Sequence, residues 1–464
     1  MAARESQDGP TVTWDQDPNN AQNWRRWKKA INLGIVTVLA FLPPLESSVI
    51  VPAVPLLRDD YGDFARPILS LVVSIFVLGF AIGPIILAPL SELYGRRPIL
   101  HLSNVASLAF TIASAMAPNI ASFIVFRFIA GSFSSGPMNI AGGSIADQVS
   151  LQRRELVMSI FFAGIFIGPV VGPVIGGFVA QDLGWRWIFW LMAIVKVLMT
   201  IVTFLCLSES HPDIIQQRLA KNNTAIDGRL HTRKIPLRTL LLRSISRPLR
   251  MLVQSPIVTG LSLYLALIYG YLYLLFTTFS TVFPNEYGFG TDTLGLSFLG
   301  IGVGCMVALA ILSWLSDSLQ ARLTTKNKES KPEYRLVPIV LGVPLIPISL
   351  LGYGWTVEYH VHWAVPIFFT GLAGAGLIFS FLPTQVYVVD AFTKHAASAM
   401  AATSIIRSIF GACIPLAGLP LYSTLGYGWG NSLLGFIAIA MSIAPLVLWR
   451  YGEILRSKYV IEFD

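Results

Sequence analysis

The sequence has 464 residues, of which 54% are hydrophobic and only 12% are charged. Soluble domains carry roughly 25% charged residues. This composition therefore excludes a cytosolic enzyme, a disordered chain, a coiled coil and a disulfide-rich secreted protein. The net charge of +8 would suit nucleic-acid binding in a soluble chain, but basic residues in so apolar a chain mark membrane topology. We expect a polytopic membrane protein with no nucleic-acid partner.

Long apolar runs predict twelve membrane-spanning helices, because roughly 20 apolar residues cross a bilayer and only helices satisfy the backbone there. The predicted spans are 30–54, 67–91, 98–117, 120–144, 155–180, 187–208, 253–280, 292–316, 335–354, 361–388, 396–423 and 429–449. The predicted fold is an all-α integral membrane protein with two six-helix bundles. Its parts are a tail at 1–29, the bundles at 30–208 and 253–450, a polar linker at 209–252 and a tail at 451–464.

Lysine and arginine are distributed unevenly between the two sides of the predicted membrane. Of 33 such residues, only Arg58, Arg66 and Arg186 lie in loops on the side opposite the termini. Positive residues concentrate on the cytoplasmic side of membrane proteins. Both termini and the linker are therefore predicted to be cytoplasmic.

Three short patterns recur in the same order in the two predicted halves. Duplicated halves are a transporter layout, with the substrate path between them. Ser91-Glu92 before Arg97 in the first half corresponds to Ser316-Asp317 before Arg322 in the second. Asp147 near Arg153 corresponds to Asp390 near Lys394. Leu183-Gly184-Trp185 corresponds to Leu425-Gly426-Tyr427-Gly428-Trp429.

The segment Ala88-Pro-Leu-Ser-Glu-Leu-Tyr-Gly-Arg-Arg-Pro98 resembles the signature loop of the major facilitator superfamily, between its second and third helices. Further segments make nearly the whole chain similar to fungal twelve-span drug:proton antiporters. They are Trp14-Asp15, Arg127-Phe-Ile-Ala-Gly131, Gly168-Pro169, Gly172-Pro-Val-Ile-Gly-Gly177, Arg247-Pro-Leu-Arg-Met251 and Pro332-Glu-Tyr-Arg-Leu336.

This resemblance implies a secondary transporter that exports amphipathic drugs or a fungal secondary metabolite in exchange for protons. The implied partners are a small organic substrate, protons and the lipid bilayer. The implied protein is a monomer in the fungal plasma membrane, with no cofactor and no metal. The glycine–proline motif of the fifth span is similar to the motif that marks exporters in the superfamily.

In the signature loop, Glu92 is expected to pair with a basic residue or a helix end and to act as a gating latch. Gly95 would permit the tight turn, and Arg96 and Arg97 would join the latch or merely anchor a basic loop. The segment departs from the family pattern at Ala88, Glu92 and Leu93, where glycine, aspartate and arginine are usual. The loss of that arginine is expected to change the geometry of the latch. The location of the latch in the chain stays the same.

The fifth span has two interpretations. Glycines at four-residue spacing give a smooth helix face that a neighbour can approach closely, and prolines favour a bend. The motif residues are Gly168, Pro169, Gly172, Pro173, Gly176 and Gly177. They either pack two helices tightly or also seal the half-channel against proton leak.

Four charged residues lie well inside predicted spans, away from their ends, namely Glu46, Arg127, Lys196 and Arg407. Burial of a charge in a membrane costs roughly 3 kcal/mol or more on insertion scales, so each residue needs a reason. Arg127 matches the family position linked to proton coupling, or is a hub that donates to backbone carbonyls. Arg407 is expected to have a structural pairing, such as one with Asp390, or a functional role that the sequence does not specify. Lys196 is expected to extend to the membrane surface or pair with a lipid headgroup, and a functional role is the alternative.

Glu46 follows Pro43-Pro44, and the prolines are expected to loosen the first helix and open a polar cavity there. A low dielectric disfavours the charged carboxylate, which suits a group that loads and releases protons near neutral pH. We expect Glu46 to be the proton site for which substrate and proton compete. The alternative is a hydrated residue at the outer mouth.

The seventh span is rich in aromatic residues, namely Tyr264, Tyr269, Tyr271, Tyr273, Phe276 and Phe279. They span more than one helix face, so some are expected to meet lipid. Tyr273 is a candidate for the substrate wall, and Asn139 and Gln385, in the fourth span of each half, are candidate polar contacts. Asp147, Asp317, Asp390 and Arg407 are expected to be structural charges.

The sequence contains no Gly-x4-Gly-Lys-Ser/Thr loop for nucleotides, no paired zinc spacing among its six histidines and no defensible catalytic triad. Enzyme activity is not expected. Two rival functions remain, a proton-coupled nutrient importer on the same fold and a receptor that does not transport. The fifth-span motif disfavours the importer, and the short tail after Arg450 disfavours the receptor.

Overall fold

A computed structural model describes residues 14–62, 65–222, 237–327, 332–392 and 396–458. The side chains of residues 151–156 and 316–327 lie outside the description. Within the described residues every long element is a helix. Eleven helical stretches are long and apolar enough to cross a membrane, and the last of these, Ser398–Ser457, contains two crossings.

The first half consists of six long helices. They are α1 (Arg26–Ser48), α2 (Arg66–Tyr94), α3 (Arg96–Ala115), α4 (Ile120–Gln148), α5 (Leu151–Leu183) and α6 (Trp185–Cys206). Local signals fix several ends. Asn119 caps α4, because its side chain accepts a hydrogen bond of 2.8 Å from the backbone N–H of Ser122.

The second half repeats this arrangement. Its first four helices are α7 (Pro256–Tyr287), α8 (Leu299–Asn327), α9 (Ile339–Glu358) and α10 (Ala364–Ala391). One long stretch, Ala396–Met441, then breaks at Gly426, where φ is 73° and ψ is 176°. We call the residues before this break α11 and those after it α12, which continues into Ile443–Lys458.

The twelve predicted spans therefore correspond to twelve helices, most of which extend past the predicted ends. The eighth differs most, since α8 begins at Leu299 and runs to Asn327, and in the first α1 ends at Ser48 and a separate turn follows at Val51–Ala53. Four further helices lie between the long ones, at Leu56–Tyr61, Pro212–Asn222, Leu237–Gln254 and Thr291–Leu296, and the last of them falls at the start of the predicted eighth span. Polar helix ends carry little hydropathy signal, which explains the extensions.

The two halves show equivalent details. Gly184 and Gly426 both adopt positive φ, of 87° and 73°, directly before the last helix of each half. Only glycine enters that backbone region without strain, so the recurring Leu-Gly pattern corresponds to one recurring turn. The pseudo-symmetry that the sequence patterns predict is visible at this turn.

The halves contact each other along several helices. Gly411 of α11 faces the side chain of Val77 in α2, and Ser47 of α1 contacts Tyr273 of α7. On the side opposite the termini, α5 approaches the Thr291–Leu296 helix so closely that a Cβ on Gly177 would lie 2.6 Å from the carbonyl oxygen of Thr291. The halves are thus packed together at this outer end.

Candidate functional site

A cavity lies between the two halves, in the middle of the bundle. Its wall is mainly aliphatic and aromatic, with one charged residue, Arg407. The first half contributes Pro44, Met138, Ile165, Phe166, Pro169 and Val170, and the second contributes Tyr269, Leu272, Tyr273, Phe276, Ile301, Cys305, Leu377, Phe381 and Arg407. Substrate sites of transporters with duplicated halves lie in this position, so we call this space the central cavity.

Five of the six aromatic residues named on α7 are buried in the protein, and Tyr269, which is half-buried, lines the central cavity, so their spacing overestimates the contact with lipid. Tyr264, Tyr271 and Tyr273 are at most 3% exposed, and Phe276 and Phe279 are fully buried. The helix packs on several neighbours and so buries more than one face. Hydropathy cannot distinguish such a helix from one that faces lipid, because both surroundings are apolar.

Arg407 does not pair with Asp390, which also corrects an expectation. Asp390 Oδ2 lies 3.3 Å from Nε of Arg335. The guanidinium of Arg407 instead lies 4.9 Å from the ring centroids of both Tyr269 and Phe381. Arg407 is thus held between two aromatic rings that line the central cavity.

Glu46 and Lys196 form a buried ion pair inside the first half. Nζ of Lys196 lies 2.5 Å from Oε2 of Glu46, and the two residues are 2% and 1% exposed. The hydroxyl of Thr111 donates to Oε1 of Glu46 at 2.6 Å, and that of Ser134 donates to Oε2 at 3.3 Å. Lys196 also donates to Ser107. The expectations that Lys196 reaches a lipid headgroup and that Glu46 is hydrated at the outer mouth are both wrong.

Glu46 is not part of the cavity wall. Its carboxylate faces α3, α4 and α6, whereas Pro44, half a turn earlier in α1, lines the central cavity. Pro43 borders a small separate space beside Lys196. The two prolines thus border two separate spaces, and α1 runs as one helix through both prolines. From α1, Pro44 lines the central cavity, and the hydroxyl of Ser47 lies 2.8 Å from that of the lining residue Tyr273.

Arg127 is a hub for the backbone of α1. Its Nη1 donates to the carbonyl oxygen of Glu46 at 3.0 Å and its Nη2 donates to that of Ser47 at 3.3 Å. Its guanidinium also lies over the ring of Phe76, 4.5 Å from the centroid. Arg127 is 1% exposed, and it fixes the segment of α1 that carries both the ion pair and the contact with Tyr273.

The two predicted amide contacts are placed differently. Asn139 is exposed, and its Nδ2 donates to the backbone oxygen of Ser135 at 2.8 Å. Gln385 is 6% exposed, and its Oε1 is buried without a hydrogen-bond partner in the described structure. Neither lines the central cavity, although Gln385 lies one helical turn after the lining residue Phe381.

The loop between α2 and α3 is held by Glu209, a residue that the sequence interpretation missed. Its Oε1 accepts from the backbone N–H of Arg96 at 2.9 Å, and its Oε2 accepts from that of Arg97 at 3.1 Å. Glu92, the expected latch, is exposed and has no ion pair with a described residue. A carboxylate does bind a helix end here, but it comes from the segment after α6.

Gly95 provides the turn that this arrangement requires. Its φ is 102°, and a Cβ there would collide with the carboxylate of Glu209. The side chain of Arg96 reaches Asp147 at the end of α4, with 3.4 Å between Nε and Oδ2. The pair Arg335–Asp390 occupies the equivalent position in the second half. Asp317 lies outside the described side chains.

The glycine motif of α5 packs mainly within the first half. A Cβ on Gly168 would lie 3.0 Å from the carbonyl oxygen of Phe41, one on Gly172 would lie 2.6 Å from that of Leu45, and one on Gly176 would collide with that of Val49. Gly177 faces the other half at Thr291, and Pro169 lines the central cavity. The same stretch of α5, about three helical turns long, thus supports α1 and reaches the second half.

Glu209 had a weak signal in the sequence, since Ser208-Glu209-Ser210 follows directly after the sixth apolar run. The residues that bind Glu46 had a stronger signal in the sequence. Thr111 lies four residues after Ser107 in the third helix, and such a spacing gives an apolar helix one polar face.

Comparisons with known proteins agree with this architecture. A family model described as Major Facilitator Superfamily matches residues 36–415. The efflux pump radE of Floropilus chiversii is 44% identical over 98% of this chain and 86% of its own length. The MFS-type transporter penM of Penicillium rubens is 45% identical over 97% of this chain and 91% of its own length.

Among solved structures, the partially occluded inward-open xylose transporter XylE from E. coli covers 90% of this chain and 98% of its own, with a TM-score of 0.67 and 17% identity. At this identity the likeness concerns the fold alone. The family match covers most of the chain, from α1 into α11. The chain therefore belongs to the major facilitator superfamily, and it is a multi-pass membrane transporter and not an enzyme.

Proposed function

We propose that the protein exports amphipathic organic molecules, such as drugs or a fungal secondary metabolite, in exchange for protons by alternating access. The observation that carries this proposal is the buried pair of Glu46 and Lys196. A carboxylate inside a membrane protein marks a candidate proton relay. This one is connected to the central cavity through a single turn of α1.

The connection through α1 explains how proton and substrate exchange. Protonation of Glu46 removes the charge that Lys196 faces at 2.5 Å, so the pair must rearrange. The same turn of α1 is bound by Arg127 at two carbonyl oxygens and contacts Tyr273 through Ser47. A shift of this turn therefore changes the cavity wall. In this proposal the substrate does not displace the proton directly from Glu46. The proton site and the substrate site are instead coupled through α1.

Outward transport is supported by two observations. One relative with 44% identity is named an efflux pump, and the α5 motif resembles that of exporters. In the structure this motif joins α1 to the contact between the halves at Gly177 and Thr291, where the conformational change must act. No observation favours the nutrient importer or the receptor.

We place the protein in the fungal plasma membrane, as a monomer with both termini in the cytoplasm. The uneven distribution of lysine and arginine supports this orientation. The described basic residues on the termini side include Arg96, Arg97 and Arg335. The buried carboxylate would then face an inward proton gradient, which an antiporter requires.

Proteoliposomes test this function while the cargo is still unidentified. Purified protein is reconstituted into vesicles that are acidic inside and loaded with the pH dye pyranine, and a compound panel is added outside. A compound that exchanges for protons should raise the internal pH. Compounds for the panel come from a growth screen of a strain that lacks the protein.

The matched variants are Glu46→Gln and Glu92→Gln, which remove one carboxylate each from the same half. The first removes the buried proton site and should abolish proton release, whereas the second alters an exposed side chain and should leave it intact. Glu46→Asp keeps the charge and covers the case in which Glu46→Gln does not fold. Unchanged proton release in Glu46→Gln would remove Glu46 as the proton carrier.

A further inference from the structure

The central cavity contains one charged group, and this group is a cation without a counter-ion. No described carboxylate lies within ion-pair distance of Arg407, and no described residue accepts a hydrogen bond from it. Its Nε is buried and has no hydrogen-bond partner among the residues that the structure describes. The rings of Tyr269 and Phe381 cover the guanidinium, but the N–H groups lie in its plane and need acceptors.

Two candidate counter-ions are engaged elsewhere. Asp390, which the sequence offers as a partner, binds Arg335, and Glu46 binds Lys196. A guanidinium with a purely structural role would be bound to carbonyl oxygens, as Arg127 is in the first half. Arg407 has no such acceptor in the described structure, so its N–H groups remain available to a ligand.

The charge balance inside the spans points the same way. The described interior charges are the carboxylate of Glu46 and the cations of Arg127, Lys196 and Arg407. One negative against three positive groups gives a formal excess of two positive charges. A positive excess in a low-dielectric interior favours an anion and disfavours a cation.

The wall around Arg407 defines the rest of the ligand. Phe166, Tyr269, Tyr273, Phe276 and Phe381 all line the cavity, and flat conjugated molecules pack well on such rings. We propose that the cargo is an organic anion, a flat apolar molecule with one acidic group that Arg407 binds as a carboxylate, phenolate or enolate. This assignment rests on the proposed export function and names its substrate class.

Such a cargo changes the driving force of transport. When an anion leaves and a proton enters, both movements carry positive charge inward, so a membrane potential that is negative inside drives the exchange together with the pH gradient. Flux of the anion should therefore increase when valinomycin and a potassium gradient impose that potential. A neutral cargo exchanged for one proton moves half as much charge.

Equilibrium dialysis with purified protein tests the site directly. The probes are 2-naphthoate, its neutral analogue 2-naphthamide and the cation 2-naphthylmethylammonium, which share one ring system. Wild-type protein should bind the carboxylate at least about tenfold more tightly than the amide, in line with one charge-assisted hydrogen-bond pair, and the cation most weakly. Arg407→Gln should bind carboxylate and amide equally, and Arg407→Lys should retain part of the preference.

Arg250→Gln is the matched control, because Arg250 is an exposed arginine outside the spans, and it should keep the wild-type ratio. Equal binding of carboxylate and amide by wild-type protein overturns the inference, as does an unchanged preference in Arg407→Gln. A failure of the proposed export function would give a different combination of binding and proton-exchange results. Proton exchange seen only with neutral or cationic compounds overturns the anion assignment and leaves the export function intact. Anion binding through Arg407 without proton movement overturns the proton-coupled export function and leaves the anion assignment intact.

Discussion

Nζ of Lys196 lies 2.5 Å from Oε2 of Glu46, although the two residues are 150 positions apart in the chain. Removal of one partner of a buried ion pair leaves an uncompensated charge and typically costs about 3–5 kcal/mol. We therefore expect Lys196→Met to lower the melting temperature in detergent strongly. The double variant Glu46→Gln/Lys196→Met should recover most of that loss, because no charge remains unpaired.

The double variant also separates stability from transport. It should fold yet release no protons in the vesicle assay, because its proton site is gone. If the stability losses of the two single variants simply add in the double variant, the pair does not interact as the structure shows.

Glu209 should be important for stability, and Glu92 should not. Glu209→Ala removes the acceptor for the backbone N–H groups of Arg96 and Arg97, and loss of such a helix cap costs about 0.5–2 kcal/mol. Thermal unfolding should show a lower midpoint for this variant. Glu92→Ala changes an exposed side chain and should stay within about 0.5 kcal/mol. A larger loss of stability in Glu92→Ala than in Glu209→Ala would contradict this assignment and support Glu92 as the latch.

Two glycines of α5 form a matched pair. A Cβ on Gly172 would lie 2.6 Å from the carbonyl oxygen of Leu45, whereas one on Gly164 would meet nothing closer than 3.9 Å. Gly172→Ala should therefore force α1 and α5 apart, at a cost of about 1–3 kcal/mol, and reduce transport. Gly164→Ala should be neutral or slightly stabilising. Similar melting temperatures for both variants would contradict the close approach of α1 and α5.

An acidic pH should weaken one contact outside the spans. Nε1 of Trp185 donates to Asp60 at 2.8 Å, and this bond, aided by Arg186, lowers the pKa of Asp60 below its ordinary value of 3.8. The contribution to stability is complete above pH 3.8 and is lost as the pH falls through the lowered pKa.

We accordingly expect Asp60→Asn to melt below wild type at pH 7 and to converge with it as the pH falls below 3.8. Melting curves in one detergent across this range provide the measurement. A difference that stays constant with pH would show that the charge of Asp60 does not contribute.

The sequence was sufficient for the number of helices, the turn at Gly95 and the close packing of Gly172, because these depend on hydropathy or on one residue and its neighbours. It was insufficient to predict which residues distant in the chain pair with each other. Lys196 is a lone cation in an apolar run, and only the packing of α6 against α1 and α3 shows that it faces Glu46.

The same limit explains the errors at α7 and at the loop. Apolar residues look alike whether they meet lipid or protein, so the burial of Tyr264 and Phe279 had no sequence signal. Glu209 and Glu92 are both acidic residues at span ends. The choice between them depends on how the chain returns to the start of α3 after α6, which is a matter of tertiary structure.

The outer contact between the halves brings main chain against main chain. Gly177 faces the carbonyl oxygen of Thr291, and Gly295 faces that of Pro173. At these two positions there is no side chain that the external medium could titrate or screen. Backbone carbonyl groups do not titrate, so the external pH acts on this end only through neighbouring side chains such as that of Asp292, whose backbone also borders Gly177.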